Sequence, residues 1–149
     1  MQRLAAGALL AGSIVAAQWE ARAEEAAQPA IAVVVGQKSF LRQVSADDLR
    51  ELYLRRRRLW PNGQRVIPIN LPPDHPIRER FSRIVLGRST QDLVAYWNLR
   101  YFEGITPPTV LPSPAAIRAY LAVEPAAIGY LPAAEVDDTC RTLLVLDRQ

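Results

Sequence analysis

Ile31-Ala32-Val33-Val34-Val35 is an unbroken apolar run, mostly β-branched, closed by Gly36. β-Branched side chains are restricted in a helix and pack well on a pleated surface, so the run reads as a strand. Both of its alternating side-chain sets are apolar, so neither face tolerates water. The strand therefore belongs inside a sheet covered on both sides, which selects α/β layering for the chain. Composition agrees: 50% of the 149 residues are hydrophobic and 22% charged, too apolar for a disordered chain. The length fits one domain. Cys140 is the single cysteine, so no intramolecular disulfide is possible, and a buried, inert thiol is expected.

Ahead of that strand, Arg3 precedes a stretch without charge from Leu4 to Trp19, followed by Ala21-Arg22-Ala23. The stretch is shorter than the ~20 residues that span a bilayer. Small residues at alternate positions suit a signal peptidase. Residues 1–23 thus read as a cleavable secretory signal cut after Ala23, 24–30 as a flexible tail, and 31–149 as one domain. Ser13 follows Leu10-Ala11-Gly12 where a lipoprotein box needs cysteine, so no stable membrane anchor is expected. The expected location is periplasmic or extracellular. That address, with a formal net charge of only +3, disfavours nucleic acid as a partner.

The rest of the chain alternates helical and extended patterns. Ser45 with Asp48 forms an approximate capping box, and Leu49, Leu52 and Tyr53 share a face, predicting a helix from about Ala46 to Leu54. Pro61-Asn62-Gly63 turns into a strand from Arg65 to Asn70, in which Pro68 indicates an edge or a bend. Asp74 is the expected cap of a second helix, with Ile77, Phe81, Ile84 and Val85 inward and Gly87 at its end. Ser89 and Asp92 repeat the cap for a third helix that buries Leu93, Tyr96, Trp97, Arg100 and Tyr101. Gly104 and Pro107-Pro108 make a surface crossing. Ser113-Pro114 opens a fourth helix with Ile117, Tyr120 and Leu121 inward. Ala127–Leu131 and Thr142–Leu146 complete a small mixed sheet of about four strands flanked by about four helices.

Few residues in this pattern carry chemistry. His75 is the only histidine and falls in the first turn of a helix. No Gly-x-Ser-x-Gly elbow is present, and the adjacent carboxylates Asp47-Asp48 and Asp137-Asp138 point apart. The reading is a non-enzyme without cofactor or metal. Two regions suit anions. At the strand-to-helix junction from Asn70 to Arg80, a helix start offers backbone N–H groups, and Arg78 and Arg80 add donors. Asn70, Asp74, His75, Ile77, Arg78 and Arg80 are its candidate ligand residues. Against it, Asp74 brings negative charge and Pro76 lacks an N–H. The second region is Arg55-Arg56-Arg57-Arg58, a basic run that reads as a solvated turn or as a docking point for an acidic partner or anionic headgroups.

The order of motifs resembles the phosphate-type periplasmic substrate-binding proteins. Ser45-Ala46-Asp47-Asp48-Leu49-Arg50-Glu51-Leu52-Tyr53-Leu54 is similar to their Ser-x-Asp-x-Leu-x-x-Ile-Phe/Tyr-Leu-Gly helix. Trp60-Pro61-Asn62-Gly63, Val66–Asn70, Arg80-Phe81, Leu86-Gly87, Tyr96-Trp97, Gly104–Pro108 and Ala127-Ile128-Gly129-Tyr130 follow in the order of the short members. The resemblance implies a type II periplasmic-binding-protein fold of one lobe's length, a small anion with phosphate as first candidate, and an ABC importer as partner. In the large members an anion turn rich in Ser, Gly and Thr aligns with Asn70 to Arg80. Leu71-Pro72-Pro73-Asp74 stands there instead. That substitution opens an alternative: a periplasmic protein-interaction module that keeps the fold without the anion, docking through Arg55–Arg58 onto another periplasmic or membrane protein.

Overall fold

A computed structural model describes residues 15–20, 23 and 28–146. The signal-peptide and tail readings over 1–30 lie largely outside the described residues. No helix among the described residues is long and apolar enough to cross a membrane.

The apolar run forms β1 (Ile31–Gly36), every residue of which is buried. It lies between β4 (Ala127–Pro132) and β5 (Cys140–Leu146), antiparallel to both. β4 in turn pairs in parallel with β2 (Ile67–Asn70), and β2 with a two-residue β3 (Thr109–Val110). The result is one mixed sheet of five strands in the order β3-β2-β4-β1-β5. Only four strands were expected. β3 is too short for any periodicity, and its pairing with β2 arises from the crossing that ends at Pro108.

Helices α1 (Ala46–Tyr53), α2 (Pro76–Phe81), α3 (Asp92–Phe102) and α4 (Pro114–Val123) surround this sheet. The α1 cap is a reciprocal box: Asp48 N–H donates to Ser45 Oγ at 3.0 Å, and Ser45 N–H donates to Asp48 Oδ2 at 3.2 Å. Leu49, Leu52 and Tyr53 are buried beneath it. α4 starts at Ser113, whose hydroxyl accepts from Ala116 N–H, and it lies directly on β1 and β4. Glycine at two strand positions permits that approach. A Cβ built on Gly36 would stand 1.9 Å from the Leu121 carbonyl oxygen, and one on Gly129 would stand 2.7 Å from Ile117 Cγ2.

Several expectations need correction. β2 is not an edge strand. Ile67 N–H donates to Ala126 O, on the β4 side, so by alternation the position of Pro68 faces β3, which begins only opposite Ile69. The missing donor of Pro68 thus costs no ladder bond. Arg65 lies outside β2, in an isolated bridge with Leu59 that closes the Pro61–Gly63 turn. Asp74 does not cap α2. His75 N–H closes a turn onto Pro72 O, and His75 becomes the cap, its Nδ1 accepting from Ile77 N–H at 3.2 Å. Beyond Phe81 the helix widens into a π-helical turn over Ser82–Leu86 before Gly87 ends it at φ 67°. The widening rotates Ser82 into the core and leaves Ile84 42% exposed. On α3 only Leu93 is buried; Tyr96 and Trp97 are half-buried, and Tyr101 is 68% exposed.

Gly36→Ala is expected to destabilise the fold by more than the ~1–3 kcal/mol usual for overpacking, because the obstacle is backbone; urea unfolding measures it. A second outcome concerns acid. The Ser45 hydroxyl, and then Arg57, hold the Asp48 carboxyl below its ordinary value of 3.8. A depressed carboxylate stabilises the native state above its unfolded-state pKa and ceases to as pH falls through the folded-state value. The destabilisation caused by Asp48→Asn should therefore be full at about pH 6 and shrink as pH drops below 3.8, followed by thermal unfolding across that window.

Candidate functional site

The junction between β2 and α2 is organised by two buried tyrosines. β2 and β4 are in register only through Pro68↔Ile128, and beyond that point their inner carbonyls need other donors. Tyr53, rising from α1, donates its hydroxyl to Ile69 O at 3.0 Å, with Ile128 O at 3.3 Å. Tyr130, on β4, donates to Asn70 Oδ1 at 3.0 Å and accepts from Leu71 N–H at 3.3 Å. Phe81 of α2 stacks on Tyr130 with ring centroids 3.8 Å apart and planes 3° from parallel, while Tyr53 meets Phe81 edge-on at 4.7 Å. Burial pushes the Tyr130 phenol up to about 12, against the opposing pull of Arg78, and pushes Tyr53 well above its ordinary value. Both hydroxyls keep their protons and act as fixed donors.

The predicted ligand residues divide around this cluster. Asn70 is buried and bound to Tyr130. Arg78 turns inward, 8% exposed, and its Nη1 donates to Leu71 O at 3.2 Å. Leu71 thus has its N–H answered by Tyr130 and its carbonyl by Arg78. Ile77 is buried. Arg80 reaches back along the chain, donating to Pro29 O at 2.5 Å. Asp74 is exposed, and His75 holds the cap. The backbone donors of the first turn are all engaged: Ile77 N–H by His75 Nδ1, Arg78 and Glu79 N–H by His75 O, while Pro76 has none. Asn70, Ile77 and Arg78 therefore come together as structure, with Asp74, His75 and Arg80 at the outer rim.

The two tyrosine hydroxyls were not anticipated. The signal was Tyr130 in an otherwise apolar buried strand, where a hydroxyl must find partners.

The arginine run does not act as a unit. Arg56 Nη1 lies 3.3 Å from Glu51 Oε1, and Arg57 Nη1 lies 2.6 Å from Asp48 Oδ1, so both fold back onto α1. Arg55 takes the left-handed conformation just after the helix, φ 58°, and is half-buried. Burial, then the charges of Arg58 and Arg65, pull its guanidinium below its ordinary value. No group of three or more metal-ligating residues occurs among the described residues. Cys140 is buried at the start of β5, and burial pushes its thiol up.

Neither a protein-family model nor a curated protein matches the chain. Solved structures do. An ABC-type phosphate transport receptor from Vibrio cholerae superposes with a TM-score of 0.62 at 15% identity, over 77% of this chain and 45% of that one. A putative phosphate ABC transporter substrate-binding protein from Clostridium perfringens, solved with bound phosphate, gives 0.64 at 15%, over 77% and 44%. A possible phosphate binding protein from Planctomyces limnophilus gives 0.56 at 11%, over 77% and 40%. The fold is that of these substrate-binding proteins. The chain spans under half the length of each. The expected periplasmic-binding-protein-like lobe is thereby present, with one more strand than foreseen, and its structural neighbours are binding proteins rather than enzymes.

Tyr130→Phe removes a hydroxyl that answers two buried groups, Asn70 Oδ1 and Leu71 N–H. At about 1–3 kcal/mol for each buried polar group left unpaired, a loss of at least about 2 kcal/mol is expected in chemical denaturation.

Proposed function

We propose that this chain is a secreted or periplasmic solute-binding-protein-like domain, without catalytic activity, that takes a small anion at the β2–α2 junction. Phosphate is the first candidate. The observation that carries this reading is the match over 77% of the chain to a protein solved with bound phosphate. Position supports it as well: in open α/β sheets ligands enter at the carboxyl ends of parallel strands, and Asn70 ends β2 beside β4.

In this reading Arg80 and the rim of the junction meet the anion, Tyr130 and Arg78 hold the β2 end in place, and the His75 imidazole gives up Ile77 N–H to the incoming oxygen. Asp74, exposed at the rim, opposes the anion by charge. An ABC importer is the proposed recipient of the bound ion.

The test is a thermal-shift titration in phosphate-free buffer against phosphate, sulfate, related oxyanions and small carboxylates. Ligand at 100 times its Kd stabilises the native state by ~2.7 kcal/mol, a rise of several degrees in a domain of this size. A saturable rise with one anion is expected. Arg80→Gln, which removes a charge-assisted donor worth about 1.5–3 kcal/mol, should weaken that anion about tenfold or more. No shift with any anion would sink the reading and leave the fold as a protein-interaction scaffold.

A further inference from the structure

A second concave site lies at the other end of β2. A cavity of about 200 Å³ has Val66, Ile67 and Pro68 as its floor, Thr106 to Thr109 as one wall, and Arg55 and Arg65 as the other. The floor is the entrance to β2, whereas the junction with α2 follows the exit from the same strand at Asn70. The two sites therefore share a strand and no residue. The threonine wall is tied to the floor by the β2–β3 pairing, Ile69↔Thr109 and Asn70↔Val110, and by Leu111 N–H donating to Asn70 O at 2.9 Å. Buried Pro108 anchors it further.

The chemistry of this cavity is one-sided. No acidic residue lines it. The acids nearest in sequence, Glu103 before Thr106 and Glu51 and Asp48 of α1, are occupied by Arg100, Arg56 and Arg57. Arg55, Arg58 and Arg65 form no ion pair among the described residues, and the Nε of Arg55 is buried without a hydrogen-bond partner. A buried guanidinium donor left unanswered is costly, and like charges beside it add to that cost. Two threonine hydroxyls complete the donor set. Pro107 and Pro108 bring no N–H groups, which shifts the donor role toward the guanidinium and hydroxyl side chains.

We propose that the cleft between Arg55, Arg65 and Thr106–Thr109 binds a small tetrahedral oxyanion of the phosphate or sulfate class, at a site separate from the β2–α2 junction. Guanidinium forks match such oxygens in pairs, and the volume suits an inorganic ion rather than a large ligand. Arg55 also sits where the resembling helix motif has glycine, in the backbone conformation that glycine adopts without strain. The arginine side chain is thus dispensable for the turn, which separates its binding role from folding.

The test uses the full chain in phosphate-free buffer at matched ionic strength, with inorganic phosphate and sulfate as probes followed by calorimetry and by amide chemical shifts. The amides of Ile67, Thr106 and Thr109 should move on titration. Arg55→Gly should keep or raise the melting temperature without anion, yet weaken the affinity at least tenfold, and Arg65→Gln should weaken it comparably. Arg80→Gln, at the junction, should leave this affinity within twofold. Wild-type affinity in both Arg55→Gly and Arg65→Gln, or shifts gathered at residues 70–80 and abolished by Arg80→Gln alone, would overturn this site while leaving the junction reading intact. Absence of any response in the wild type would overturn it as well. So would binding only to vesicles containing phosphatidylglycerol, because the cleft would then serve a lipid headgroup and not a free ion.

Discussion

The hydroxyl of Tyr130 has two buried obligations, to accept from the Leu71 N–H and to donate to Asn70 Oδ1, and much of the lobe is arranged so that it meets both. β4 occupies the centre of the five-stranded sheet, so whatever Tyr130 holds is held against a central, buried strand. Phe81 stacks on its ring and seats α2 there, and Tyr53 brings in α1 by an edge contact and a bond to Ile69 O. Four elements thus converge where β2 and β4 diverge. An apolar core alone would leave the orphaned carbonyls and N–H groups of that divergence unpaired, which a low-dielectric interior penalises.

This arrangement decides how the arginines are used. Arg78 answers the Leu71 carbonyl, a structural post beside an aromatic stack, although its position in the chain reads as a ligand donor. Arg56 and Arg57 are held by the acids of α1, in exposed pairs of the kind that contribute little to stability. Arg55 and Arg65 line one cavity, and no acidic residue lines it with them. These arginines thereby flank the two ends of β2: Arg80 beyond its exit, Arg55 and Arg65 at its entrance. Across the sheet, α4 lies close on Gly36 and Gly129.

Where sequence reading succeeded, the deciding forces were local or strictly periodic. Ser45 and Asp48 stand three residues apart and close their box whatever surrounds them, and Ile31–Val35 has no polar face to offer water. Where it failed, a distant contact overruled the local pattern. Asp74 is a better cap than His75 by preference, but the turn from Pro72 to His75 moves the helix start by one residue. Ile84 follows the helical stripe, yet the π turn carries it out and brings Ser82 in. Tyr101 and Phe102 continue an apolar stripe on α3 that nothing among the described residues covers, and Phe102 is 88% exposed.

By itself the sequence determined the α/β class, the buried identity of β1, the capped starts of α1 and α4, the glycine stop after Leu86 and the resemblance to phosphate-type binding lobes. Each of these depends on steric limits, capping and hydrophobic alternation that act within a few residues. Only the tertiary structure decided that β3 exists, that β2 is interior, that Arg78 points inward and that Arg55 and Arg65 share a cavity. Those outcomes depend on which groups meet across long stretches of chain. The cost of burying an unpaired carbonyl or charge is set by its neighbours in space, which spacing along the chain does not encode.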